Sequence, residues 1–197
     1  MTAAIAPLPV PLDHPYRLLN HGPVTLVSTA HGERSNVMAA AWAMPLDFDP
    51  PKVAVVVDKN TLTRQLLEAS GEFALNIPCR RIAAEVLRAG KLSGLALAPE
   101  QDKWTQAGLK NFPAERIGAP LVADCVGWLE CRIVAEPHNQ QQYDLFIGEV
   151  VAAQADPRVF RDGRWTFDHA DDSLRTLHYV AGGHFFTTGA SVDVDAP

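Results

Sequence analysis

Two polar clusters interrupt an apolar run between residues 34 and 67, and their side chains are the ones best placed to do chemistry. The first, Arg34-Ser35-Asn36, enters a run of mostly small residues (Val37, Met38, Ala39, Ala40, Ala41) that ends at Trp42. Side chains this small let something flat approach the backbone. The second is Asp58-Lys59-Asn60-Thr61-Leu62-Thr63-Arg64, which follows the apolar run Val53 to Val57. It opens a predicted helix with Leu62, Leu66 and Leu67 on one face, ending near Gly71. A helix N-terminus offers unpaired backbone N–H groups and a partial positive charge, and Lys59, Thr61, Thr63 and Arg64 add donors there. Together they make a cradle for a phosphate. The same residues have a plainer reading, in which Asn60 or Thr61 is the N-cap and Lys59 and Arg64 are solvated surface charges.

The elements that must hold these clusters follow from periodicity. Residues 24 to 29 alternate as a strand up to a turn at His31-Gly32, and the next strand starts near Asn36, so a hairpin places the first cluster at a strand junction. Three prolines and two aspartates between Pro45 and Pro51 predict a loop rather than sheet interior. After the helix at 61 to 70, Phe73, Leu75 and Ile77 alternate as a strand stopped by Pro78, and a second helix fits Arg80 to Ala89 with Gly90 as its C′ residue. Residues 90 to 124 are irregular apart from one helical turn near Asp102 to Ala107, and excursions of this length are usually functional or partly disordered. From Cys125 to Glu136 the alternation is strongly β; a loop over His138 to Gln142 leads into a second long strand from Tyr143 to Ala153. Asp162-Gly163 signals a tight hairpin. Seven or more strands with two or three helices give a mostly β, α+β fold, and the pattern alone leaves barrel and sandwich level.

Composition narrows the function classes. One domain is the default for 197 residues, and 47% apolar with 20% charged residues is ordinary globular usage. No apolar stretch approaches the roughly 18 residues of a membrane span. A net charge of −6 argues against a general nucleic-acid surface. The start of the chain is a Pro-rich arm (1–16), without a basic region of the secretory kind, and residues 190–197 form a tail. Three cysteines with no C-x-x-C suit a reducing cytoplasm. Seven scattered histidines show no metal-ligand spacing, and neither G-x-G-x-x-G nor G-x-S-x-G occurs.

The order S-N-x(5)-W-x-x-P, D-x-x-P-P, an apolar strand and K-N-T-x-T-x-x-L resembles the flavin reductase-like FMN-binding split-barrel family. Gly71 to Pro78, Gly90-Lys91-Leu92-Ser93-Gly94, Asp102-Lys103-Trp104 and Leu145 to Val150 continue the likeness, which covers roughly residues 17 to 189. The resemblance implies a Greek-key split β-barrel with rim helices, a homodimer, and FMN as cofactor. It also implies NADH or NADPH as co-substrate and a partner oxygenase or other electron acceptor. By the same resemblance Lys59, Thr61, Thr63 and Arg64 anchor the phosphate, with Lys91 a weaker candidate. Ser35, Asn36 and the backbone from Val37 to Ala41 lie along the ring, and Trp42 either stacks nearby or belongs to the core. Many relatives carry a histidine just before the L-F-I-G-E-V strand, at a place linked to nicotinamide binding, where this chain has Tyr143. A tightly held FMN relaying electrons without direct NAD(P)H use is therefore the alternative function. His178 or His184 approaches the flavin from the C-terminal segment.

Overall fold

The computed structural model describes residues 22–98 and 100–194; the Pro-rich arm falls outside them. The chain runs β1 (Thr25–His31), β2 (Arg34–Ala40), β3 (Ala43–Phe48), β4 (Pro51–Val56), α1 (Leu62–Ser70), β5 (Glu72–Ile77) and α2 (Ala83–Lys91). It continues through α3 (Lys103–Ala107), β6 (Asn111–Phe112), β7 (Leu121–Val122), β8 (Gly127–Val134), α4 (Pro137–Tyr143) and β9 (Leu145–Ala155). Two small hairpins finish it, β10 (Phe160–Arg161) with β11 (Arg164–Trp165) and β12 (Leu177–Ala181) with β13 (His184–Thr187).

Seven strands form one antiparallel sheet in the order β2-β1-β5-β8-β9-β4-β3. Its two edge strands are consecutive in the chain, joined only by Ala41 and Trp42. Three Cα steps reach at most about 11 Å, so the sheet has to curl until its edges approach each other. The edges do not pair, and the result is a split barrel with helices at its rim, as the resemblance implied.

Strand parity sorts the core. On β1, Val27 faces the barrel interior with Val53, Val55, Phe73, Leu75 and Phe146, while Leu26 faces outward onto Val37, Val86, Ala89 and Trp104 beneath α2 and α3. The glycine of the Leu145 to Val150 strand has a packing reason: a Cβ on Gly148 would come within 2.5 Å of the buried Phe73 ring.

Four local expectations give way to tertiary structure. The predicted loop over 45–51 is largely strand β3, whose one proline, Pro45, is tolerated because it is an edge, while Pro50 lies in the turn and Pro51 opens β4. The predicted loop over 138–142 is helix α4, which has no apolar face; it starts with Pro137 in its first turn and ends at Asp144, which takes a left-handed φ of 54°. The second long strand consequently starts at Leu145 rather than Tyr143. Gly90 lies inside α2 rather than beyond its end, because the helix continues through Lys91 and closes at Leu92, whose amide donates to the Arg88 carbonyl.

Candidate functional site

Helix α1 begins as its sequence requires. Thr61 is the N-cap in an extended conformation; its hydroxyl accepts from the Arg64 amide at 3.2 Å and donates to the Asp58 carbonyl at 2.8 Å. Its one O–H donor is thereby taken. The amides of Leu62 and Thr63 have no partner among the described residues, as the first turn of a helix leaves them. Buried Thr63 accepts from Asn36 Nδ2 at 2.7 Å, which leaves its own O–H free to donate. Asn36 Oδ1 is buried without a hydrogen-bond partner among the described residues.

These groups border a polar cavity of about 280 Å³ closed by Gly90, Lys91, Ser93, Gly94 and Lys103. Gly94 is needed for close approach, since a Cβ there would lie 2.7 Å from Asn36 Oδ1 and 2.9 Å from Leu62 Cδ2. Lys103 stands in the first turn of α3, which is capped by Asp102 and tied to β2 by a 3.0 Å hydrogen bond from Trp104 Nε1 to Ser35 Oγ. Lys103 is only 5% exposed, forms no ion pair among the described residues, and burial pulls its ammonium pKa down to about 8.

Met38, Ala39, Gly90 and Lys91 also line a second cavity, so the two spaces adjoin. The second is wider, about 610 Å³, and mostly apolar. Its floor is the small-residue run from Met38 to Ala41. Its walls come from α2, from Trp42, Val56 and Asp58, from Tyr143 and Asp144 at the end of α4, and from Tyr179, Gly182, Gly183 and Phe185 of the C-terminal hairpin.

The structure brings together Asn36, Met38, Ala39, Trp42, Asp58, Asn60, Thr61, Thr63, Lys91 and Tyr143 around the two cavities. Trp42 is about half exposed, a wall residue rather than a core one. The remaining predicted residues lie elsewhere. Arg34 is exposed beside the β1–β2 turn, Ser35 is bonded to Trp104, Val37 faces the outer core, and Lys59 is exposed ahead of α1. His178 sits opposite Phe186 in the register of β12 and β13 and lines neither cavity; its neighbour Tyr179 does. His184 does not line them either.

Arg64 is the clearest departure. It is 6% exposed, and its guanidinium donates to Glu68 Oε1 (2.7 Å), Val57 O (3.1 Å), Asp144 Oδ1 (3.0 Å) and Gln140 O (2.8 Å) while lying 4.4 Å from the centre of the Phe146 ring. Four of its five N–H donors are thereby taken, and the group is turned to α4 rather than to the polar cavity. Lys103, Gly94, Tyr179 and Phe185 carry no assigned role in the sequence; the Gly90 to Gly94 motif, the Asp102-Lys103-Trp104 triplet and the aromatics flanking Gly182-Gly183 are their signals there.

This arrangement has counterparts of known structure. A crystal structure of an FMN-binding domain of a flavin reductases-like enzyme from Shewanella baltica OS155 is 46% identical, with a TM-score of 0.84 over 94% of this chain and 96% of that one. Flavoredoxin of Desulfovibrio vulgaris (Miyazaki F) is 27% identical, with a TM-score of 0.74 over 88% and 90%. The Escherichia coli (strain K12) protein YddH is 44% identical over 188 residues, 94% of this chain and 96% of YddH. The family model for the flavin reductase like domain matches residues 17–183, the span that carries the barrel, the polar cradle and most of the C-terminal hairpin. On that match the chain belongs to the flavin reductase-like family of FMN-binding domains.

Proposed function

We propose that this protein is an FMN-dependent oxidoreductase of the flavin reductase type, with the cofactor's phosphate in the polar cavity and its ring along Met38 to Ala41 of the wide one. The observation that carries the reading is the buried Lys103 ammonium, without a counter-ion among the described residues, facing the same cavity as the first turn of α1. A buried charge is costly unless paired, and a phosphate dianion is the partner that this donor set fits. Lys103 and Lys91 supply charge, the Leu62 and Thr63 amides and the Thr63 hydroxyl supply directed hydrogen bonds, and Asn36 Oδ1 is an acceptor for a ligand hydroxyl. Bound FMN supplies the redox chemistry itself, taking up and releasing electrons. The chain's part is to hold the phosphate, keep the ring against backbone and small side chains, and screen it from water with the hairpin.

The source of the electrons has two readings, direct oxidation of NADH or NADPH and a relay from another donor. The wide cavity favours the relay. Its lining carries the carboxylates of Asp58 and Asp144, and its one cation among the described residues, Lys91, stands on the wall shared with the phosphate site. Tyr143, 61% exposed at the cavity rim and edge-on to His138, offers a ring and a hydroxyl but no charge for a dinucleotide. Purified protein is expected to be yellow, to bleach promptly with dithionite and slowly with NADH or NADPH. A colourless protein that takes up no added FMN overturns the cofactor, and prompt bleaching by a nicotinamide overturns the relay.

The working unit we propose is a homodimer. Trp42, Met44, Leu46 and Phe48 put large apolar side chains at every second position of the edge segment beside the cavity, and all four are exposed, Phe48 by 98%. A bare edge of this kind is normally covered, and a two-fold dimer is the commonest cover.

A further inference from the structure

The wide cavity alone is as large as a whole small-molecule site, whose usual range is about 300–1,000 Å³, so one flat ring laid on Met38 to Ala41 fills only part of it. The remainder lies against the C-terminal hairpin. There Tyr179 stands opposite Phe185 in the strand register, their rings in edge contact at 5.3 Å. The hairpin is seated rather than hanging: Gly183 has a φ of +90°, and a Cβ there would come 3.1 Å from Leu87 of α2. Trp42 and Tyr143 line the same cavity, so aromatic side chains come from both the barrel side and the hairpin side. The Tyr179 hydroxyl has no hydrogen-bond partner among the described residues.

We propose that this part of the cavity is a second subsite, which takes an uncharged, planar carbonyl compound of the quinone type as electron acceptor, with Tyr179 donating its hydroxyl proton in a hydrogen bond to a carbonyl oxygen. The inference rests on the FMN reading above. Aromatic faces suit a flat conjugated ring. The charge pattern selects against anions, because with Lys91 turned to a phosphate the charged groups left on the lining are Asp58 and Asp144, and Asp144 is already held by Arg64 at 3.0 Å. A quinone is converted to the hydroquinone by two electrons and two protons. The two electrons and one of the protons come from reduced FMN, which returns to its oxidised form, and solvent supplies the other proton; dithionite supplies the electrons in the test.

The test is a binding titration on FMN-loaded protein, following the flavin absorption band, with menadione, naphthoquinone sulfonate and NADH as probes. Tryptophan fluorescence follows the same titrations on FMN-free protein. Menadione is expected to bind at least about tenfold more tightly than the sulfonate, a gap that Asp58→Asn narrows by raising sulfonate affinity. Tyr179→Phe is expected to weaken menadione about fivefold, the worth of one neutral hydrogen bond, and Phe185→Ala to weaken it as well. In the dithionite-reduced, anaerobic protein one menadione should reoxidise one FMN. Sulfonate or NADH binding as tightly as menadione overturns the proposal, and so does menadione binding that neither variant alters. If the protein takes up no FMN, the cofactor reading falls, and the fluorescence titration on the free protein still decides the subsite by the same two criteria.

Discussion

Lys103 gives the site a pH signature of its own. Its ammonium, depressed by burial to about 8 from an ordinary 10.5, is lost in the folded protein before it is lost in the unfolded chain. Between those values the unfolded state holds more protons, so FMN-free protein should gain stability as pH rises from 8 to 10.5, by up to about 3 kcal/mol. FMN affinity should move the other way and weaken as pH passes through about 8, since the phosphate then loses its buried cation. Lys103→Met should abolish both trends, which urea unfolding and FMN titration at a series of pH values would show. Thr63 and Lys59 separate the cradle from its surroundings at the same scale. Thr63→Ala removes a free hydroxyl donor to a charged group and should weaken FMN about ten- to hundredfold, whereas exposed Lys59→Ala should leave calorimetric titration unchanged. At Tyr143, Tyr143→His supplies the histidine that the family resemblance implies at this position. Stopped-flow reduction by NADH should accelerate in that variant with FMN affinity held, and equal rates would show that this position does not control nicotinamide use.

Between elements, Arg64 acts as a buried strut. It joins α1, whose N-terminus frames the polar cavity, to the end of α4 and to the carbonyl of Val57, and the Val57 amide in turn donates to the Asp144 carbonyl at 2.9 Å. Arg64→Met should destabilise the fold by about 3–5 kcal/mol by stranding Asp144 and two carbonyls. At 197 residues that is a fall in Tm of very roughly 10 °C, visible by calorimetry. Variant protein that still folds at low temperature should keep its FMN affinity within a few-fold; a loss as large as that of Lys103→Met would return Arg64 to the phosphate site. The loop before α3 has the opposite character. Gly94→Ala should displace Asn36 or Leu62 and weaken FMN while changing the melting temperature little, because the cavity rather than the core takes up the added methyl.

For the molecule as a whole, the split between β2 and β3 leaves an apolar edge beside the cavity. A dimer mass is expected in light scattering at micromolar concentration, and Phe48→Glu should shift it toward monomer. A monomer mass for the FMN-loaded wild type would leave that edge for another partner. Gly148→Ala tests the barrel interior, where the added Cβ must displace the Phe73 ring, and destabilisation of about 1–3 kcal/mol is expected.

Elements with local signals are legible in the chain: the alternation of β1, β5, β8 and β9, the cap of α1 at Thr61 and its stop at Gly71, and the small-residue floor after Asn36. The family resemblance, read from ordered motifs, carried barrel over sandwich. Tertiary structure decided what depends on direction and company. Arg64 and Thr63 are neighbours in sequence, yet successive helical residues point about 100° apart, and Arg64 is drawn to Asp144 while Thr63 meets Asn36. His178 and Tyr179 are separated by strand parity, which leaves the tyrosine on the cavity. Lys103 looks like any surface lysine in the sequence, because its burial depends on α2 and β2, against which α3 packs only when the chain is folded. Helix α4 carries no apolar period, and long-range hydrogen bonds from Arg64 help hold it in place.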